Sequence, residues 1–404
     1  MLEFTDKPYQ FFPPNPSPTV IRIAHWLNHQ IILPGPNHRI SELQIDGDER
    51  LRELIASGAH ILFLPNHSTH SDPHIMSEVH RQLGIPSAFM AAYDVFLRSK
   101  LNAWVIQRTG SFSVDREGSD RKAMSTAIEV LKSVRSLTVF PEGNVYFTND
   151  RITAFLEGAA FIGVKAQKDL GDAPVYAVPV AIKATHLVDQ RAAVLDRIDK
   201  AAAMAGCACD RGGDPLLELR RIGQLALENH LLEHDFDIPN DSQPIHDTLE
   251  EAAATLINSL ESEIGLKPKT GDSLIDRVRK IRSKIHQVRI GSRSEVSTEK
   301  ATAWADRAIL ALRILGYTGN YCAENPSVDR FAETAEKLIE DLHSKLQKPY
   351  GKRRALVRLC EPIDLRDHRG RGVVESVTRE VEAAVQDAID AINATNSSAG
   401  SQPF

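Results

Sequence analysis

The sequence predicts an α/β protein with a central mixed, largely parallel sheet flanked by helices and a long helical insertion before the last strand. Three features carry this expectation. Short apolar runs such as Ile61-Leu62-Phe63-Leu64 and Leu137-Thr138-Val139-Phe140 alternate with segments of helical period up to about residue 187. From there to about residue 353 the strand texture gives way to long charged helical stretches. It returns in Ala355-Leu356-Val357-Arg358-Leu359, which completes a sheet begun far upstream. The expected organisation is an N-terminal extension over 1–38, a core over 39–187, an insertion over 188–353, a closing strand and helix over 354–393 and a disordered polar tail over 394–404.

Taken in order, residues 20–33 form an amphipathic stretch too short and too polar to span a bilayer, with Trp26 and its aliphatic residues to one side. Two readings fit it: a helix lying on a membrane surface, or one docked on its own domain. Residues 39–47 alternate like a strand, and 49–57 have helical period ended by Gly58. The strand of residues 60–64 runs into Pro65-Asn66-His67-Ser68-Thr69-His70-Ser71-Asp72-Pro73, beyond which Ile75, Met76, Val79 and Leu83 make the apolar stripe of a helix. Residues 87–92 predict a strand, 94–107 a helix stopped at Thr109-Gly110, and 110–116 an extended segment ending on Asp115-Arg116. Ser119 is placed as the cap of a helix whose apolar face carries Met124, Ala127, Ile128, Leu131 and Val134. The next strand stops at Pro141-Glu142-Gly143. Residues 151–168 read as a helix, with Gly158 and Ala159 at a close approach of backbones, and 175–183 as a strand whose Pro179 implies an edge or a bulge. Residues 373–392 close the chain as a helix.

Composition bounds the class. Hydrophobic residues at 42% and charged residues at 25% are ordinary for a globular protein, and the net charge of −6 averages over segments of opposite sign. Residues 228–263 are acidic, whereas 267–293 are strongly basic. In the basic piece Leu274, Val278, Ile281, Ile285 and Val288 recur at helical spacing, which suits either an anionic lipid surface or a stripe docked on the main domain. No aromatic residues are interleaved there, so nucleic acid is not expected as a partner. Four cysteines, Cys207, Cys209, Cys322 and Cys360, are too few for a disulfide scaffold, and Cys207-Ala208-Cys209 is too tight for a usual zinc half-site. With a start that does not read as a secretory signal, the expected location is cytoplasmic, peripheral on the inner membrane surface.

His67 and Asp72 lie five residues apart across a strand-end turn, close enough for the carboxylate to hold one imidazole nitrogen while the other faces a substrate. Spacing alone is weak: His230 and Asp235 repeat it inside the insertion, and Asp72 before Pro73 equally suits a helix cap. His67, His70, Asp72 and His74 also crowd together as zinc ligands do, so a metal-dependent hydrolase is the rival reading.

The turn gains weight from the segments downstream of it. Asn66 to Asp72, Gly110 to Arg116, Phe140-Pro141-Glu142-Gly143 and Val178-Pro179-Val180 stand in the order and spacing of four motifs. On them, and on Leu359-Cys360-Glu361-Pro362-Ile363, the chain resembles the glycerolipid acyltransferase superfamily, which includes glycerol-3-phosphate and lysophosphatidic acid acyltransferases. The resemblance covers residues 61–183, resumes near 356, and leaves the insertion out. It implies His67 as base and Asp72 as its orienting group. It further implies Gly110, Arg116, Glu142, Gly143 and Pro179 in substrate binding, with Arg116 and the Glu142-Gly143 turn at the acceptor and Pro179 shaping the acyl channel.

The residue types suit that chemistry on their own. A neutral imidazole removes the proton of an attacking alcohol, and an activated thioester needs no serine or cysteine nucleophile, so direct transfer is expected. Arg116 offers a planar fork for phosphate, its plain alternative being an ion pair with Asp115 or Glu117. Glu142 is expected to position a hydroxyl or a basic side chain. The implied partners are an acyl-CoA or acyl carrier protein donor and a glycerol-phosphate or lysophospholipid acceptor, with no cofactor and no metal. Membrane contact is expected through residues 20–33 or the insertion. Ser113 and Cys360 depart from the family pattern, and a catalytically silent lipid-binding relative is a further alternative.

Overall fold

The protein is described by a computed structural model over residues 9–116, 120–237, 244–290, 296–343 and 345–404. Glu117 and the expected cap Ser119 lie outside these residues; the helix after them, α6 (Arg121–Val134), is capped by Asp120, whose side chain accepts from the Ala123 N–H. Two compact units emerge, one formed by Tyr9–Gln190 with Lys348–Gln402 and the other by Arg191–Gln347 with Pro403–Phe404.

The first unit is built on a mixed sheet. Its strands are β1 (Ile40–Asp46), β2 (His60–Pro65), β5 (Ser136–Thr138), β6 (Val175–His186), β7 (Arg353–Leu359) and β8 (Ile363–Asp364), in the order β1-β7-β6-β2-β5, with β8 also on β6. β2 runs parallel to both β5 and β6, whereas β7 and β8 run antiparallel to β6. A small parallel pair, β3 (Met90–Ala92) and β4 (Phe112–Val114), continues the sheet through a bridge between Phe89 and Thr138. Parallel strands end on one rim, so the segments after β2, β4 and β5 are delivered to the same side.

Both faces of the sheet are covered, which is why β2 and β6 read as unbroken apolar runs. Leu62 and Leu64 pack with Ala127 and Leu131 of α6, Ile162 of α7 (Glu157–Leu170) and Val385 of α15 (Val373–Thr395). Ile61 and Phe63 face the other way, onto Leu51 of α2 (Asp48–Ala56) and Ile75, Met76 and Val79 of α3 (Asp72–Leu83). The close approach of α7 to the sheet is at Gly163, where a Cβ would stand 2.7 Å from Leu365 and 3.0 Å from Leu62; Gly158 meets nothing.

Several expectations need correction. The helix foreseen over 94–107 is two, α4 (Tyr93–Leu97) and α5 (Lys100–Arg108). The stretch 20–33 becomes α1 (Pro18–Leu27) followed by a π-helical turn (Asn28–Ile32). Pro179 marks neither an edge nor a register shift: it is buried at the centre of the sheet opposite Leu64. Its carbonyl accepts from the Cys360 N–H at 3.0 Å, so its nitrogen faces that same side, where β7 has ended and β8 has not begun. The missing N–H therefore costs no ladder bond. The polar tail is also ordered, with a 3-10 turn (Ala399–Ser401), a Ser398 hydroxyl paired with Thr185, and Phe404 stacked on Phe331 at 4.2 Å.

The second unit is helical: α8 (Arg191–Met204), α9 (Pro215–Glu233), α10 (Ile245–Ile264), α11 (Leu274–Ile290), α12 (Thr298–Leu315), α13 (Tyr321–Glu324) and α14 (Val328–His343). The apolar stripe of the basic helix α11 is used up inside this unit. Val278, Ile281 and Ile285 are buried with Leu256, Ile257 and Leu260 of α10 and Ala308 and Ala311 of α12, so the stripe is not presented to lipid. Part of the opposed charge seen in the sequence is paired inside this bundle, Arg277 with Glu261 at 2.6 Å. Among the described residues no helix is long and apolar enough to cross a membrane.

Candidate active site

The turn after β2 is folded around a buried carboxylate. Asp72 opens α3, yet its side chain turns back into the turn rather than capping the helix. Its Oδ2 accepts from His67 Nδ1 at 3.0 Å and from the Thr69 N–H at 2.8 Å, and its Oδ1 accepts from the Thr69 hydroxyl at 2.8 Å. Three donors and the first turn of a helix together offset the desolvation of a side chain that is 0% exposed. A carboxylate only accepts, so Nδ1 of His67 carries the proton and Nε2 of the neutral ring carries the lone pair. The His67 side chain is 16% exposed and stacks on Phe140 at 4.2 Å between ring centroids, which fixes its second rotation.

The turn after β5 holds this histidine from its backbone side. Glu142 is 3% exposed, and its Oε1 accepts from the His67 N–H at 2.6 Å. Its Oε2 accepts from the Thr153 N–H at 3.0 Å and the Thr153 hydroxyl at 2.6 Å. Burial pushes the Glu142 carboxyl above its ordinary range, against the pull of those donors. Glu142 is therefore a clamp between two loops, and the hydroxyl it holds is that of Thr153. Gly143 follows in a left-handed conformation (φ 76°) that a side chain would strain.

Arg116, at the end of β4, reaches the same turn. Nη1 donates to the Gly143 carbonyl at 3.3 Å and to Asn144 Oδ1 at 2.8 Å, and Nη2 to Asp94 Oδ1 at 3.0 Å. Asp94 of α4 is thus an acidic partner of it, and both side chains stay accessible to solvent.

His67, Asp72, Arg116, Glu142 and Gly143 are brought together; Gly110 and Pro179 are not. Gly110 precedes β4 while Arg116 follows it, so the two stand at opposite ends of that strand. Gly110 packs near Pro16 and Ala88. Pro179 is enclosed in the sheet. The proposed metal cluster does not converge either: His70 packs edge-on against Phe147 at 5.3 Å, and His74 pairs with Asn28 at 2.9 Å and lies tilted against the His38 ring at 4.3 Å. Among the described residues no group of three histidines, cysteines or carboxylates is placed to hold a metal ion. The decoy His230 pairs with Glu233 at 3.1 Å, not with Asp235. Cys360 is a thiol pushed up to about 11 by burial, its Sγ near the Ala384 carbonyl at 3.6 Å.

Two asparagines complete the support. Asn66 donates to the Ile182 carbonyl at 3.0 Å and accepts the Ile182 N–H at 2.7 Å. Asn149 bonds the backbone of Ala184 in the same two-way fashion, at 2.5 and 3.2 Å, and accepts from the Ser68 hydroxyl at 3.1 Å. The two amides take over as ladder partners of β6 where β2 stops, so the turn leaves the sheet without orphaning its neighbour.

Two half-buried histidines beside the turn, His38 and His74, and the fully buried His80 near the end of α3 set the acid tolerance of this unit. His38 is lowered from 6.5 to about 4 by burial, by Arg353 and by His70, and His74 is lowered from 6.5 to about 3 chiefly by burial. His80, wedged between Ser87 and Thr138, is lowered from 6.5 to about 3 for the same reason. The unfolded chain takes up these protons near pH 6.5 and the folded one only near pH 4 to 3, so their stabilising effect is full above 6.5 and lost below it. The thermal midpoint is expected to fall steeply from pH 6.5 towards 4, with a shallower fall in a His80→Gln variant. Equal slopes in calorimetry of the two proteins would contradict the neutral burial of His80.

Comparison with known families places residues 42–183 under the family model described as Acyltransferase. No curated protein sequence matches the chain.

Proposed function

We infer that the chain acts through the domain it carries over residues 42–183, which belongs to the acyltransferase family typical of glycerolipid acyltransferases. On that premise we propose that it moves a fatty acyl group from an acyl-CoA or acyl carrier protein thioester to a hydroxyl of a glycerol-phosphate or lysophospholipid-type acceptor. The observation that carries the mechanism is the 3.0 Å contact of His67 Nδ1 with the fully buried Asp72. Nε2 takes the proton of the acceptor hydroxyl as its oxygen attacks the thioester carbonyl. Asp72 stabilises the imidazolium that results. The new C–O bond forms, the C–S bond breaks, and the departing thiolate receives the proton held by His67. No acyl-enzyme intervenes, and no cofactor enters these steps.

Arg116 anchors the acceptor phosphate in this reading. Its fork is already oriented by Gly143 and Asn144, so an incoming phosphate takes the edge that Asp94 occupies. Loss of charge-assisted bonds to a phosphate is worth about tenfold or more in affinity. Arg116→Ala should accordingly raise KM for a phosphorylated acceptor by that amount and leave the thioester KM nearly unchanged. Asp94→Asn should lower the same acceptor KM, because a competing carboxylate is removed. Steady-state kinetics with each substrate varied separately reads both; an unaltered acceptor dependence removes Arg116 from the site. The proposal as a whole is tested by a transfer assay offering acyl-CoA and acyl carrier protein donors against glycerol 3-phosphate, lysophosphatidic acid and unphosphorylated alcohols. Acylation of the phosphorylated acceptors supports it, and transfer confined to unphosphorylated ones refutes the acceptor assignment.

A further inference from the structure

Ser113, one of the two residues that depart from the family pattern, lies buried at the middle of β4. Successive N–H groups of a strand point to alternate sides. That of Phe112 donates to the Phe89 carbonyl at 3.1 Å, on the side of β3, and that of Ser113 donates to the Phe12 carbonyl at 3.1 Å, on the other side. The Phe12 N–H donates back to the Ser113 hydroxyl at 2.8 Å. Residues 9–12 therefore run as a strap along the second edge of β4, and the serine is what lets them bond there. The rings of the strap dock on α4, Phe12 stacking on Phe96 and Tyr9 meeting Tyr93 edge-on, each at 5.0 Å between centroids. The same helix carries Asp94, which pairs with Arg116.

The strap ends where β4 ends. The Tyr9 hydroxyl donates to Asp120 Oδ2 and lies 3.3 Å from the Ser113 hydroxyl. Asp120 Oδ2 also accepts from the Asp115 N–H at 3.1 Å, while its Oδ1 accepts from the Ala123 N–H at 2.8 Å and so caps α6. Burial and the Asp120 carboxylate push the Tyr9 hydroxyl above its ordinary range, which keeps it a donor. We propose that Tyr9 is a positioning residue for Arg116, and through it a determinant of acceptor specificity: by bracing Asp120 it fixes Asp115, the residue immediately before Arg116.

Arg116 needs such a brace because it stands two residues past the end of a strand only three residues long. A planar fork bonds a phosphate well only when its root is held in place, and small displacements of a binding group are costly. The tip of Arg116 is held by Gly143, Asn144 and Asp94, and an incoming phosphate displaces the last of these. The tie from Asp115 to Asp120 then steadies the root. Removing the Tyr9 hydroxyl leaves Asp120 both of its N–H donors, so α6 keeps its cap, but the carboxylate loses its brace on the strap side. This inference rests on the reading of Arg116 as the phosphate anchor, and its test separates the two.

The test is steady-state kinetics of the full chain as wild type, Tyr9→Phe, Arg116→Ala and the double variant, each substrate varied separately and folding checked by circular dichroism. Tyr9→Phe keeps the ring on Tyr93 and deletes only the hydroxyl. It should raise KM for a phosphorylated acceptor, glycerol 3-phosphate or lysophosphatidic acid, by about fivefold and leave kcat and the thioester KM nearly unchanged. Because it acts through Arg116, adding it to Arg116→Ala should raise the acceptor KM no further. A tyrosine that served the fold alone would lower the thermal midpoint and leave that KM where it is. An acceptor KM unchanged in Tyr9→Phe but raised in Arg116→Ala overturns the inference and leaves the phosphate anchor standing. Losses that add in the double variant, or a kcat that falls together with a rise in both KM values, overturn it as well. An Arg116→Ala variant without effect on the acceptor overturns the anchor itself, and the role of Tyr9 with it.

Discussion

Replacing His67 by alanine is expected to lower kcat by about a hundredfold or more, with much smaller changes in either KM. The substitution removes the group that takes the hydroxyl proton in the proposed reaction. It leaves Asp72 with two of its three donors, the Thr69 N–H and hydroxyl, so the turn should keep its shape. Asp72→Asn acts on the same step through the imidazole. An amide carries no charge to stabilise the imidazolium, and its NH2 group can turn towards Nδ1 and reverse the tautomer. A loss of similar order is expected. Because the two residues act as one device, the His67→Ala/Asp72→Asn double variant should be no slower than His67→Ala by more than a few fold. Additive losses would mean that Asp72 serves another purpose, such as holding the first turn of α3. Steady-state assay of the three variants, with circular dichroism as the check on folding, decides between these outcomes.

Glu142→Ala should have the next largest effect, on stability and activity together. The carboxylate is buried and satisfies the backbone N–H groups of His67 and Thr153 as well as the Thr153 hydroxyl. Without it two half-buried N–H groups lose their acceptor, each at a cost of up to about 1–3 kcal/mol. The lost bond to the His67 N–H also frees the backbone that sets the imidazole in place, and small displacements of a base weaken transfer steeply. The variant should therefore unfold at distinctly lower denaturant concentration and turn over slowly even where it is folded. Glu142→Gln keeps an acceptor oxygen for one of the loops and should recover part of both losses. If Glu142→Ala lost activity with no change in its urea midpoint, the clamp would be wrong, and a direct role for Glu142 at the acceptor would return.

How far these features could be read from the sequence depends on whether they leave a local trace. The strands after which the site is built were visible because covering both faces of a sheet demands unbroken apolar runs, as at Ile61-Leu62-Phe63-Leu64. The His67 and Asp72 pairing was readable for the same local reason: five residues across a turn fix a short distance. Arg116 was placed at the correct rim because β4 is parallel to its neighbours, but the alternative weighed for it was an ion pair with Asp115 or Glu117, and the Asp94 that the structure supplies comes from α4, 22 residues upstream. The role of Glu142 depends on bonds to His67 and Thr153 that span 75 and 11 residues, and nothing in the spacing announces them. Asn149 gave no signal at all, being one asparagine in a loop until β6 outran β2. Pro179 misled in the opposite way. A proline in a strand usually signals an edge, and here it sits at the centre because the neighbouring strand is interrupted beside it. Gly110 belongs to the same motif as Arg116, yet a strand separates them, and a motif is not a site.

The central claim is that a His67 base transfers the acyl group directly from thioester to hydroxyl. It is tested most directly by a single-turnover experiment with enzyme in excess over a thioester labelled in its acyl group, quenched with and without a phosphorylated glycerol acceptor. Label should pass to the acceptor only when acceptor is present, none should be found on the protein at any time, and the His67→Ala variant should transfer about a hundredfold more slowly or worse. Label on the protein that chases into product, or undiminished transfer by a folded His67→Ala variant, would contradict direct transfer by this base.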